Sequence, residues 1–83
     1  MEPKKLKVLE VFCDVVNGIK RTGLRADRID ANAYLGGDLG IDSIEMLEIW
    51  FDIEQRLSVH VDDAEKRNIY TIDEALGVVA AKI

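Results

Sequence analysis

The sequence predicts an all-α protein: a small bundle of three main helices plus a short third helix, with a long loop between helices one and two. Three observations carry that prediction. Apolar residues recur at steps of three and four over three separate stretches, which is the period of a helix face. Asp42, Asp62 and Thr71 each stand three positions before a glutamate, the pattern by which a helix start satisfies its own orphan backbone N–H groups. No stretch alternates polar and apolar residues as a half-buried strand would, and no internal repeat or low-complexity run is present.

The first helix is expected from Lys4 to about Lys20. Leu6, Leu9, Phe12, Val16 and Ile19 share one face, and Val8, Val11 and Val15 widen it into a broad buried stripe. Pro3 suits a helix start, and Gly18 and Gly23 bracket the expected end. The valines lower helix propensity, so packing must hold this helix in place. Residues 21–41 then read as a long connection with glycines at 23, 36, 37 and 40 and apolar anchors at Leu24, Ile29, Tyr34, Leu35, Leu39 and Ile41. A single turn is expected around Asp27 to Ala31. A loop of this length in so small a chain is more often functional than idle.

The second helix, Ser43 to Leu57, carries two apolar stripes. At 100° per residue, Met46, Ile49, Trp50, Ile53 and Leu57 fall on one face, while Ile44, Leu47 and Phe51 fall on an adjacent one. Glu45, Glu48, Asp52 and Gln55 fill the remaining circumference. One core contact does not require so much apolar surface. The second stripe either packs on the long loop or the third helix, or faces a partner. Val59 and Val61 return the chain to the core. Asp62 with Glu65 opens a short helix to about Asn68 that presents Ala64 and Ile69 inward, and Thr71 with Glu74 opens a last helix to about Lys82 with Ile72, Ala75, Leu76 and Val79 inside.

A chain of 83 residues is expected to form a single domain, residues 1–83, whose core is limited by its size. Hydrophobic residues at 48% and charged residues at 33% place it among globular chains and away from disordered ones. The start MEPKKLKVLE lacks the apolar core of a signal peptide, and no run is long enough to cross a bilayer, so a cytoplasmic address without membrane insertion is expected. The single cysteine, Cys13, has no partner for an internal disulfide and reads as a buried apolar residue; with one histidine and no CxxC, no zinc-ligand set assembles. Sixteen acidic against eleven basic side chains, a net charge of −5, argue against nucleic acid or an anionic membrane as the main partner and favour a basic protein.

Ser43 is the residue on which the chemistry turns. A nucleophilic serine needs a base, and the only histidine, His60, lies past the far end of the second helix. Paired carboxylates on an acidic helical surface are usually only its solvated face, so no catalytic residues are assigned. A calcium loop does not fit either, because the twelfth position from Asp38 is Ile49 rather than glutamate. Two readings of Asp42-Ser43 remain. They are simply cap residues, or the exposed serine is modified by another enzyme, since backbone N–H groups and the helix dipole at that end favour an anion such as a phosphodiester.

The stretch DLGIDSIEM, residues 38–46, resembles the DLGxDSL motif of acyl carrier proteins, in which the serine carries a 4′-phosphopantetheine arm. The resemblance covers the whole order of the chain: a helix, a long loop, the Asp-Ser, a second helix with an acidic outer face, a short acidic-started helix and a threonine-capped last helix. It implies a stand-alone carrier without catalysis of its own, presenting acyl thioesters to enzymes of fatty-acid, polyketide or specialised lipid synthesis. Ser43 corresponds to the attachment serine and Asp42 to the acidic residue before it, with Ile44 in place of the usual leucine. The prosthetic group would come from coenzyme A through a phosphopantetheinyl transferase. Glu45, Glu48, Asp52 and Glu54, together with Ile44, Leu47 and Phe51, correspond to the surface that such carriers, acting as monomers, present to basic patches on acyl-processing enzymes. Gln55 and Arg56 dilute its acidic end. Trp50 is bulkier than the aliphatic residue common at its position, which implies a restricted space for an acyl chain. A peptidyl or aminoacyl carrier, whose motif usually has glycine where Asp42 stands, and an unmodified helical protein-binding adaptor are the alternatives.

Overall fold

A computed structural model describes all of residues 1–83. Four helices follow one another: α1 (Pro3–Lys20), α2 (Ser43–Leu57), α3 (Asp63–Lys66) and α4 (Ile72–Ala80). No strand is present, and the single isolated bridge pairs Tyr34 with Thr71. The predicted fold class and helix order are those observed.

Helix α1 is the hub, packing on both α2 and α4. Its buried face is Val8, Leu9, Phe12, Cys13, Val15 and Val16. Cys13 is buried as expected, and desolvation, with Asp14 nearby, pushes its thiol above the ordinary range. Leu6, predicted inside, is instead 42% exposed, in the first turn of the helix and ahead of its first buried residue, Val8. The helix ends on Arg21, in the left-handed region at φ 55°, whose N–H reaches the Asn17 carbonyl; neither Gly18 nor Gly23 caps it. Asn17 then ties down the exit by accepting from the Leu24 N–H at 2.7 Å and donating to the Leu24 carbonyl at 2.9 Å.

The long connection is ordered by backbone pairing rather than by apolar anchors alone. Its turn falls at Ala26–Arg28, slightly ahead of the predicted one. Residues 31–35 lie along the start of α4: Leu35 N–H donates to the Tyr70 carbonyl at 2.8 Å, Ile72 N–H to Ala33 at 3.1 Å and Asp73 N–H to Ala31 at 2.8 Å. Leu35 and Ile41 are buried, but Tyr34 is 58% exposed, since extended pairing turns its side chain away from the core. The third helix is a single turn, shorter than predicted. Ile69 is buried behind it, whereas Ala64 faces solvent, because one turn of helix presents only one inward position and the chain uses the residue after the turn. Helix α4 buries Ile72, Ala75, Leu76, Val79 and Ala80 and passes into a turn at residues 81 and 82. No helix is long and apolar enough to cross a membrane.

Candidate functional site

Ser43 is the first residue of α2 and is exposed. Its position is built by the loop before it. Asp38 accepts the Tyr34 N–H at 2.7 Å through Oδ2, while its own N–H donates to the Tyr34 carbonyl at 3.0 Å, closing a tight loop. Gly40 then takes φ 68°, a conformation that costs little only for glycine, and its N–H donates to the Gly36 carbonyl at 2.9 Å. The next N–H, of Ile41, donates to Leu35 at 3.1 Å, so buried Ile41 anchors the chain immediately before Asp42. Asp38 and Gly40 are thus the residues that deliver Ser43 to its place, a role that their spacing from the serine did not reveal.

Asp42 caps α2 through a reciprocal pair. Its carboxylate accepts the Glu45 N–H at 2.8 Å, and Glu45 Oε1 accepts the Asp42 N–H at 3.0 Å. The Glu45 carboxylate is also gripped by Lys20 Nζ at 2.9 and 3.0 Å, which ties the end of α1 to the mouth of α2. The Asp42 N–H and Lys20 together hold the Glu45 carboxyl below the usual carboxylate range. None of these side-chain bonds occupies the Ser43 hydroxyl. The serine is therefore held in position by its neighbours while its own oxygen stays free, and the backbone N–H groups of the first turn and the dipole give that end a partial positive charge.

A groove of about 450 Å³ opens beside the serine, between the start of α2 and α3. Asp42, Ser43, Asp63, Lys66 and Arg67 supply its polar lining, and Ile41, Met46, Leu47, Trp50 and Ile69 its apolar lining. Lys66 is fixed in place: its Nζ lies 2.8 Å from Glu54 Oε1 and 5.7 Å from the centre of the Trp50 ring. Burial alone would raise the Glu54 carboxyl, but Lys66, the Val61 N–H and His60 outweigh it and hold it below the usual range. Arg67 forms no ion pair, so one free cation borders the groove. His60 lies beyond the far end of α2 with its ring nitrogens 3.2 Å from Glu54 and from Asp62, well away from Ser43 across a helix about 22 Å long.

The second stripe is bare. Ile44, Leu47 and Phe51 are 70, 71 and 63% exposed, so the loop and α3 do not cover them. The predicted inward face divides, with Ile49, Trp50 and Ile53 buried and Met46 and Leu57 only half-buried. Among the acidic residues grouped with the bare stripe, Glu48 is exposed and Asp52 half-buried, and neither enters an ion pair. Glu45 and Glu54 are instead committed to Lys20 and Lys66. The structure thus brings Ser43, Asp42, Ile44 and Leu47 together at the mouth of α2 and places Glu54 at its other end, facing α3.

No family model matches the chain. Curated relatives do. An acyl carrier protein of Arthrobacter sp. is 30% identical over 74 residues, covering 89% of this chain and 89% of the relative. One of Beutenbergia cavernae is 30% identical over 80 residues, 96% of this chain and 95% of its own length, and one of Thermotoga maritima is 29% identical over 75 residues, 89% and 93%. Identity at this level is sustained along nearly the full length of both partners, over a four-helix chain whose exposed serine opens α2, and the chain belongs to the acyl carrier protein family.

Proposed function

We propose that this protein is a carrier that holds acyl groups on a 4′-phosphopantetheine arm attached to Ser43 and presents them to partner enzymes, within one carrier unit formed by residues 1–83. The observation that supports it most directly is the free hydroxyl of Ser43 on the first turn of α2, beside a cap that uses Asp42 and leaves the serine unused. The residues fit the group. A phosphodiester at this oxygen meets the partial positive charge of the helix mouth, in a groove whose lining includes the unpaired Arg67 as well as Asp63. When attached, the arm supplies a terminal thiol that carries an acyl group as a thioester.

In the loading reaction the Ser43 oxygen displaces the nucleotide half of coenzyme A at phosphorus. The hydroxyl proton leaves to a base on the transferase, because the groove around Ser43 contains no histidine of this chain. Ile44, Leu47 and Phe51 form the apolar part of the docking surface, and Glu48 and Asp52 supply charge for basic patches on the transferase and on acyl-processing enzymes. Covering each bare side chain removes apolar area worth roughly 1.5–3 kcal/mol before the costs of association, a scale that suits a transient partner.

The test is loading by a broad-specificity phosphopantetheinyl transferase with coenzyme A. The native protein gains the mass of one phosphopantetheine. Ser43→Ala stays folded and gains none. A native chain that gains no mass, or a Ser43→Ala chain that still does, overturns the assignment, and the first of these results leaves an unmodified adaptor as the reading.

A further inference from the structure

Four carboxylates, Glu45, Glu48, Asp52 and Glu54, run along α2, and the two at the ends of the row are paired with lysines from other elements. Lys20, in the last turn of α1, places its Nζ 2.9 and 3.0 Å from the two oxygens of Glu45, and the two side chains are only 20 and 23% exposed. Glu45 Oε1 also accepts the Asp42 N–H at 3.0 Å. At the other end Lys66 lies 2.8 Å from Glu54, with both side chains similarly enclosed. A carboxylate held in this way presents a dipole rather than a net charge, and its field in salt fades well inside a Debye length. A partner's cation reaching for Glu45 would have to displace Lys20, gaining one ion pair by breaking another. Glu48 and Asp52, between the two pairs, enter none.

We propose that Lys20 and Lys66 mask the two ends of the acidic row, so that partners read only Glu48 and Asp52 beside the bare stripe of Ile44, Leu47 and Phe51. The inference rests on the carrier reading and adds a partner class to it: an enzyme with an apolar recess and one short basic patch. An extended basic row fits poorly, since a cation set opposite Glu45 gives up water for a carboxylate that is already neutralised. Lys20 acts through Glu45 and is a specificity-determining residue outside the docking surface itself. Its place at the end of α1 is also where a cation complements the helix dipole, and a purely bracing role would make its loss destabilising and nothing more. Masking makes a different forecast. Without Lys20 the second oxygen of Glu45 is free, the cap bond to the Asp42 N–H remains, and docking on a basic partner becomes stronger.

The experiment measures loading of the chain by a broad-specificity phosphopantetheinyl transferase, with kcat and KM for the carrier determined at low and at high ionic strength. At low salt Lys20→Met should raise kcat/KM about threefold to tenfold through a lower KM, with kcat unchanged and the gain lost at high salt. Glu45→Gln keeps the cap, so in the native background it should alter KM by no more than about twofold, and in the Lys20→Met background it should cancel the gain. Glu48→Gln should raise KM in both backgrounds. Lys7→Met makes the same change in net charge about 20 Å back along α1 and should leave KM as it is. A folded Lys20→Met without a lower KM at low salt overturns the masking, as does an equal gain in Lys7→Met or a native-background Glu45→Gln that costs as much as Glu48→Gln. Should Lys20→Met fail to fold, Lys20→Gln and the comparison of Glu45→Gln with Glu48→Gln decide it. Failure of the native chain to load at Ser43 is a distinct result that overturns the carrier reading and this inference with it.

Discussion

The two apolar faces of α2 are made of similar residues and meet opposite fates. Ile49, Trp50 and Ile53 are 1, 5 and 2% exposed, while Ile44, Leu47 and Phe51, interleaved with them along the same 15 residues, are 70, 71 and 63% exposed. Composition does not distinguish the stripes; angular position relative to α1 does. A helix needs one such face to join a bundle, so the inner stripe holds the fold and the bare one is surplus to it. The carboxylates repeat the contrast. Glu45 and Glu54 are bound to lysines of neighbouring elements, while Glu48 and Asp52 are left free for other contacts.

The comparison is tested most severely on the inner face. Ile49→Ala removes fully buried side-chain volume and should cost about 2–5 kcal/mol in chemical denaturation. A loss below 1 kcal/mol would mean that the inner stripe is not what holds α2.

A smaller effect is expected where a bound carboxylate is altered. Glu54→Gln should lose about 1–2 kcal/mol, since it leaves Lys66 without its ionic partner while keeping shape. The same groups set an acid limit. Glu45, Glu54, Glu65 and Glu74 all titrate below the ordinary glutamate value in the folded chain. As pH falls through the usual glutamate range the unfolded chain takes up protons first. The stabilisation is therefore complete above that range and is lost progressively as pH drops through the lowered folded values. Denaturation midpoints measured from neutral pH downward should fall, and should fall less steeply in Glu54→Gln.

The smallest effect on stability belongs to the outer face. Leu47→Ala and Phe51→Ala should change unfolding free energy by no more than about 0.5 kcal/mol, because neither side chain is covered. Their binding to a loading or acyl-processing enzyme should nevertheless weaken about tenfold, as expected for an anchor at the centre of an interface. Unchanged affinity in both variants would remove the bare stripe from the docking surface.

Much of this was legible in the chain. The three helix starts followed from an acid or hydroxyl placed three residues before a glutamate, and the caps of α2 and α4 form reciprocally as that spacing requires. Such caps are local, formed within one turn, so neighbouring residues suffice to specify them. Legibility failed where the partner is remote. Tyr34 looked like an anchor, yet backbone pairing with the start of α4 turns it outward. Ala64 looked buried, but α3 is too short to offer a second inward position. Glu54, grouped by the sequence with the acidic docking surface, also pairs with Lys66, 12 residues on, which its own helix does not reveal. Asp38 and Gly40 were visible as motif residues; their task, closing the loop that sets Ser43, depends on hydrogen bonds to Tyr34 and Gly36.

By itself the sequence determined the helical class, the order of the helices and the place of Ser43 at the start of the second one, because periodicity and capping are short-range. Only the tertiary structure decided which stripe of α2 remained bare, which carboxylates were already taken, and that Trp50, beneath Lys66, lines the groove beside Ser43. Those outcomes depend on which faces meet when α1, α2 and α3 pack, and a helix presents its apolar stripes without recording which of them another helix will cover.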